Sequence, residues 1–160
     1  MRRLATPQDI DAVHAIYSHD DVLPFLTYER MSLEAFRPVY QQLLQSGCFY
    51  LWDADGEVAG FYKATRFPGR VNHVVQLGTL AVDPRRHGQG VAQAMFEDAL
   101  ARLKAEGTHR VELMAEADNA RGLRFYAKFG FVEEGRLRDF YKRAGDDHYV
   151  DELVMGLILR

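Results

Sequence analysis

Apolar positions along this chain change period several times, and each change marks an element. Met1 to Ala5 reads as a short strand. Thr6 is an N-cap residue type with Pro7 at the first helical position, so a helix is expected to about Tyr17. His19 to Met31 has no period and holds Leu23-Pro24-Phe25-Leu26 and Tyr28. Ser32 starts a second helix, in which Leu33, Phe36, Tyr40, Leu43 and Leu44 recur near helical spacing up to Gly47. Cys48 to Trp52 reads as a strand, Asp53-Ala54-Asp55-Gly56 as a hairpin turn and Val58 to Thr65 as the returning strand. After a break at Pro68-Gly69, a longer strand is expected over Val71 to Val82, with Gly78 marking a bulge.

A loop from Asp83 to Gly90 leads into a helix. Val91, Met95, Phe96, Ala99, Leu100 and Leu103 form its apolar stripe and Gly107 its stop. Val111 to Ala115 reads as a strand. Asp118 or Asn119 caps a shorter helix through Phe129, stopped by Gly130. Phe131 to Tyr141 and Tyr149 to Leu159 read as two strands joined around Gly145. The order β α α β β β α β α β β predicts an α/β domain with a mixed sheet and helices on its faces, the strands nearer the N-terminus being antiparallel.

With 160 residues and no linker or repeat, the sequence is expected to form a single domain spanning 1–160. Apolar residues at 48% and charged residues at 27% exclude a disordered or fibrous chain. A net charge of −3 argues against a general nucleic-acid coat. The arginines near the N-terminus are followed by no apolar segment of a signal peptide, and no apolar run approaches the ~18 residues that cross a bilayer. One cysteine, Cys48, can form no internal disulfide. A cytoplasmic protein without membrane or nucleic-acid partners is expected. The six histidines are scattered without zinc-ligand spacing, so no metal is expected.

The chemistry concentrates in Leu80-Ala81-Val82-Asp83-Pro84-Arg85-Arg86-His87-Gly88-Gln89-Gly90-Val91-Ala92, where a strand ends, a two-glycine loop follows and a helix begins. Glycines let backbone approach a ligand, and a helix start offers free N–H groups and a positive dipole end. This is a phosphate-binding construction, with Arg85 and Arg86 adding positive charge and His87 either touching phosphate or facing water. The Walker A lysine and the G-x-G-x-x-G fingerprint are both missing. A diphosphate site of another kind, or a plain surface loop with a glycine hinge, fits the loop taken alone.

The pattern Arg-x-x-Gly-x-Gly at Arg85, Gly88 and Gly90 resembles the acetyl-CoA signature of the GNAT N-acetyltransferase superfamily. A second block, Asp118-Asn119-Ala120-Arg121-Gly122-Leu123-Arg124-Phe125-Tyr126-Ala127-Lys128-Phe129-Gly130-Phe131, is similar to the family's N-x₆-Y-x-K-x-G-F segment, in the same order and spacing. The tail, Glu134 to Arg138 and Tyr149 to Met155, is similar to the branch of amino-acid and ribosomal-protein acetyltransferases. The resemblance implies a mostly antiparallel sheet of about seven strands with about four helices, splayed between strands four and five. It implies acetyl-CoA as cosubstrate, held by Arg85 to Ala92 through backbone N–H groups, with the pantetheine arm along Leu80-Ala81-Val82. A backbone N–H near Leu80 would polarise the thioester oxygen. The side chains of Leu80 and Val82 read as core.

The family position of the thiolate's proton donor falls on Tyr126. The same residue shares helical spacing with Leu123 and Ala127 and would equally pack on the sheet. Asn119 would orient the pantetheine, cap the helix, or both. The glutamate that serves as base in the ribosomal-protein branch falls on Met114, which cannot accept a proton. Glu112 and Glu116 straddle that position on the same face of a regular strand and are the candidate bases, against the reading of solvent-facing carboxylates. His73 and water are alternatives. The acceptor pocket would take Pro24, Phe25, Leu26 and Tyr28 from one side and Phe140, Tyr141 and Tyr149 from the other, or these aromatics are hinge packing. The expected activity is direct acetyl transfer to the primary amine of an amino acid or amino-acid-like molecule. A peptide N-terminal acetyltransferase and a non-catalytic acyl-CoA sensor are the alternatives. The apolar run Leu153, Val154, Met155, Leu157, Ile158, Leu159 reads as an edge strand that could pair two copies in a homodimer, or as a buried strand.

Overall fold

The computed structural model describes residues 1–160. Its strands are β1 (Arg2–Leu4), β2 (Phe49–Ala54), β3 (Glu57–Arg66), β4 (Val74–Val82), β5 (Arg110–Glu116), β6 (Val132–Tyr141) and β7 (Val150–Ile158). They form one sheet in the order β1-β2-β3-β4-β5-β7-β6. Helices α1 (Ile10–Tyr17), α2 (Leu33–Gln45), α3 (Val91–Ala105) and α4 (Ala120–Lys128) fill the connections. Only β4 and β5 run parallel. This is the mixed, mostly antiparallel architecture that the sequence predicts. No helix is long and apolar enough to cross a membrane.

Local chemistry explains the boundaries. The Asp9 carboxylate accepts from the Thr6 N–H and hydroxyl, each at 2.8 Å, and fixes the chain's entry into α1. Ser32 caps α2 by accepting the Ala35 N–H. β2 runs to Ala54, so the hairpin turn is only Asp55-Gly56, both with positive φ, as a two-residue primed turn requires.

Three expectations are corrected. β4 begins at Val74 rather than Val71, because Gly69–Val71 forms a 3-10 turn and the Arg66 guanidinium holds the Asn72 carbonyl at 2.7 Å. The bulge lies just past Gly78: Lys63 pairs with Gly78 and Phe61 with Ala81, so Tyr62 alone faces Thr79 and Leu80. Thr79 has φ 44°, a left-handed conformation that is costly for a β-branched residue. Finally, β7 is no edge. It pairs with β5 on one side and β6 on the other, so its backbone is taken on both sides and cannot pair a second copy. The sheet's edges are β1 and β6.

Strand alternation divides the core into two layers. On one face, Val13, Ile16, Phe36 and Tyr40 from α1 and α2 cover Phe49, Leu51, Phe61 and Ala81. On the other, Met95, Phe96, Ala99 and Leu103 from α3 cover Val75, Leu77, Val111, Leu113 and Ala115. Phe96 joins the layers of the second cluster, with its ring 4.7–5.8 Å from Phe125, Tyr126, Phe129 and Phe131. It therefore sets the seat of α4 on the sheet.

The parallel pair is short. Val74, Val75, Gln76 and Leu77 pair with Arg110, Val111, Glu112 and Leu113, and pairing stops there. Beyond that point β4 stays with β3 through Gly60 and Phe61, while β5 stays with β7 through Glu116 and Glu152. A gap opens in the middle of the sheet, where the sequence resemblance implies a splay.

Replacing Phe96 with Ala leaves a cavity among four aromatic rings. Denaturant unfolding is expected to show a loss of about 3–5 kcal/mol. A loss under ~1 kcal/mol would mean that α4 is seated by other contacts.

Candidate active site

The loop after β4 is ordered by its own side chains. Asp83 is buried and accepts from the Arg85 N–H and guanidinium, which holds its carboxyl below the usual range. Arg86 reaches across to Asp55 and Glu57 on the β2–β3 hairpin. Both arginines are therefore paired with carboxylates, Arg85 with most of its side chain still exposed. Further polar capacity lies in the backbone. Gly88 and Gly90 have φ 78° and 75°, and the N–H groups of Gly88, Gly90, Val91, Ala92 and Gln93 have no acceptor within the chain. Five unpaired donors at a helix start suit a diphosphate. Gln89 differs, since its N–H bonds the Arg86 carbonyl. His87 accepts from the Arg121 guanidinium at 3.0 Å, tying the loop to α4, and loss of solvent together with that charge holds its pKa down.

From this loop the gap between β4 and β5 leads to a cavity of about 420 Å³. Leu80, Asn119, Tyr126, Glu116 and Phe25 all line it, so five of the predicted site residues converge. Ala81 and Val82 continue β4 along the gap, with Ala81 buried against the α1–α2 layer. The Asn119 side chain accepts the Gly122 N–H at 3.0 Å and caps α4. Tyr126, on the next turns of α4, packs on Phe96 and Phe131 and still reaches the cavity. Burial, and then the charge of Glu116, push its phenol well above the ordinary range, so it stays protonated at working pH.

The two candidate bases part company. Glu112 is held by Arg110, which also binds Glu134, and it lies outside the cavity. Glu116 is buried and forms no ion pair. Burial pushes it up to about 7, and the neighbouring Glu152 charge adds to the rise, while Arg143 and the Asn119 amide oppose it. Glu152 is Glu116's register partner on β7. It is also buried and raised by burial, with one carboxylate oxygen unpartnered. The sequence reading missed Glu152, although an acid inside the apolar run Val150 to Leu159 was a visible signal. His73 is exposed at the start of β4, away from the cavity.

Of the predicted acceptor residues, Phe25 lines this cavity together with Leu26, Phe140 and Tyr141. Tyr28 lines a neighbouring cleft with Pro24 and Arg143. Tyr149 lines neither, and the Lys142 ammonium rests on its ring. The cavity's roof is clamped. Tyr141 shares its hydroxyl proton between the Pro24 and Leu26 carbonyls, and Arg143 binds the Pro24 carbonyl at 2.7 Å and Asp118 at 2.8 Å. The β6–β7 connection, the Leu23–Phe25 turn and the start of α4 are thus locked together.

Residues 10–131 match the model of the Acetyltransferase (GNAT) family, three quarters of the chain. The chain belongs to this family. GNAT enzymes draw their acetyl group from acetyl-CoA. The chain is similar to a mycothiol acetyltransferase of Brachybacterium faecium, with 39% identity over 51% of this chain and 25% of that protein. It spans only about a fifth to two fifths of the mycothiol acetyltransferases it matches. Similarity to the L-amino acid N-acetyltransferase AaaT of Escherichia coli is 28% identity over 98% of this chain and 96% of that protein. Among solved structures, the spermidine N-acetyltransferase of Vibrio cholerae in complex with CoA and spermine shares the fold, with a TM-score of 0.82 at 17% identity over 99% of this chain and 94% of that one.

A carboxyl raised in the fold favours folding while protonated. Its contribution is full below the unfolded value near 4.5 and is lost as pH rises towards about 7. Glu116→Gln, a fixed neutral mimic, is therefore expected to gain stability over the native chain between pH 5 and pH 8, by on the order of 2–3 kcal/mol in denaturant unfolding. A difference independent of pH would show that Glu116 titrates normally.

Proposed function

We propose that this protein is an N-acetyltransferase for the primary amine of a small amino-acid-like molecule, acting by direct transfer with both substrates bound together. The observation that carries this reading is the convergence of Leu80, Tyr126 and Glu116 on one cavity, at the point where β4 and β5 separate. Acetyl-CoA supplies the activated acetyl group when bound. The unpaired N–H groups from Gly88 to Gln93 would hold its diphosphate, and the open edge of β4 from Gly78 to Val82 would pair with its pantetheine.

An ammonium cannot attack, so the acceptor must first lose a proton. Glu116, raised to about 7, is matched to take it near neutral pH. A backbone N–H near Leu80 polarises the acyl oxygen. Tyr126 gives its phenolic proton to the departing sulfur and recovers the second proton that the nitrogen sheds as the amide forms. One proton remains on Glu116 and passes to solvent, so the protons balance.

The clamp of Tyr141 and Arg143 over the Leu23–Phe25 turn favours a small acceptor over a peptide end, which would need an open trough. The presence of Tyr126 at the cavity, rather than an inert side chain, favours an enzyme over an acyl-CoA sensor.

A CoA-release assay across amino acids, polyamines and short peptides tests the reading. Turnover on a small amine is expected, with kcat/KM rising through a pKa near 7. Glu116→Gln is expected to remove that acidic limb and lower kcat about 10²–10³-fold, and Tyr126→Phe to lower kcat about 10²-fold with little change in KM. Acetyl-CoA binding without turnover on any amine would contradict the proposal.

A further inference from the structure

The cavity has a second charged end that the acetyl-transfer chemistry does not use. Lys63, on β3, lines it beside Thr65 and Gln76, which are themselves register partners. Lys63 is half-buried and has no carboxylate within ion-pairing distance and no hydrogen-bond acceptor in the chain. Its neighbours along the strand, Phe61, Tyr62 and Ala64, are buried apolar residues, so this is a lysine placed within the sheet rather than on a solvated face. A half-buried ammonium without a partner is costly unless something anionic completes it.

The sheet register gives the spacing. Lys63 pairs with Gly78, and Leu77 pairs with Leu113, so Lys63 stands level with Met114 two strands away. Regular strands about 4.8 Å apart with a rise of about 3.3 Å per residue would put the Cα atoms of Lys63 and Glu116 roughly 12 Å from each other, and the parting of β4 and β5 beyond Leu77 and Leu113 widens that span. Both side chains are on the face of the sheet that carries α1 and α2, opposite Val111, Leu113 and Ala115. A lysine and a glutamate lining one cavity across that span leave room for one short molecule, with a charge-assisted hydrogen bond of about 2.8 Å at each end. Phe25, Leu80, Met114 and Phe140 offer apolar surface between the ends.

We propose that Lys63 binds the carboxylate of the acceptor, so that the enzyme selects zwitterionic α-amino acids with apolar side chains. The amine then lies at Glu116, with Glu152 adding negative charge beside it, and the carboxylate lies at Lys63. Thr65 and Gln76 supply further polar contacts at the carboxylate end. Polyamines place a second cation where Lys63 stands, and a peptide N-terminus has a neutral carbonyl there. Both are selected against by charge. This inference rests on the transferase reading given above and names its substrate class.

The test compares L-leucine, L-phenylalanine and L-methionine with their carboxamides in the CoA-release assay. Each pair shares its side chain and differs in the charge that Lys63 would meet; because the carboxamide's amine is the less basic, kcat/KM is compared per free amine. The native enzyme is expected to favour the acids by at least ~10-fold in kcat/KM. In Lys63→Met the acid-to-amide ratio is expected to fall to about one, and in Lys63→Arg most of the preference is expected to return. Calorimetric binding of acetyl-CoA checks that each variant is folded, and the native ratio needs no variant at all. A native enzyme indifferent to the amide, or a ratio unchanged in Lys63→Met, would overturn the role of Lys63. Turnover of polyamines or peptides but of no free amino acid would overturn it too, while leaving the transferase reading standing. CoA release with no amine whatever would overturn both.

Discussion

Everything proposed for this protein depends on the parting of β4 and β5 after four paired residues. Parallel neighbours in a sheet normally stay together, because each unpaired N–H and C=O has to find another partner. Here each strand remains satisfied on its other side. The two-residue bulge at Thr79 and Leu80 turns β4 towards β3, and the full register of β5 with β7 carries Glu116 to Glu152. The cost is concentrated at Thr79, whose left-handed backbone is worth roughly 1–3 kcal/mol of strain. The result is an open backbone edge in the middle of a sheet, floored by core and roofed by the Leu23–Phe25 turn.

The gap also organises charge. Its loop end holds two arginines, both paired with the carboxylates of Asp83, Asp55 and Glu57, beside the unpaired N–H groups of the helix start. Its inner end holds two buried carboxylates without cations in contact. That imbalance is unfavourable in an empty fold and becomes useful only if the occupant brings positive charge. In the proposed mechanism, that one arrangement would both raise the base and attract the amine.

Much of this was legible in the sequence. Helices and strands followed from the apolar period, and Gly88, Gly90, Asn119 and Tyr126 were singled out by the resemblance to the GNAT motifs. The choice between Glu112 and Glu116 was not legible, because strand alternation puts both on one face. Only the sheet showed Arg110 pairing with Glu112 as well as Glu134, while Glu116 lies past the last β4–β5 pair. The edge reading of the last strand failed for a similar reason. β7 follows β6 in the chain but inserts between β5 and β6, and sequence order carries no sign of that insertion. Lys63 and Glu152, about ninety residues apart in the chain, meet at one cavity only through three strand pairings.

The most direct test of the central claim is a crystal structure of the protein with acetyl-CoA. The account predicts diphosphate oxygens on the N–H groups between Gly88 and Gln93, pantetheine lying between β4 and β5 and bonded to the open edge of β4, and the thioester beside Leu80 and Tyr126. Cofactor bound elsewhere on the surface, with the β4–β5 gap unfilled, would contradict it.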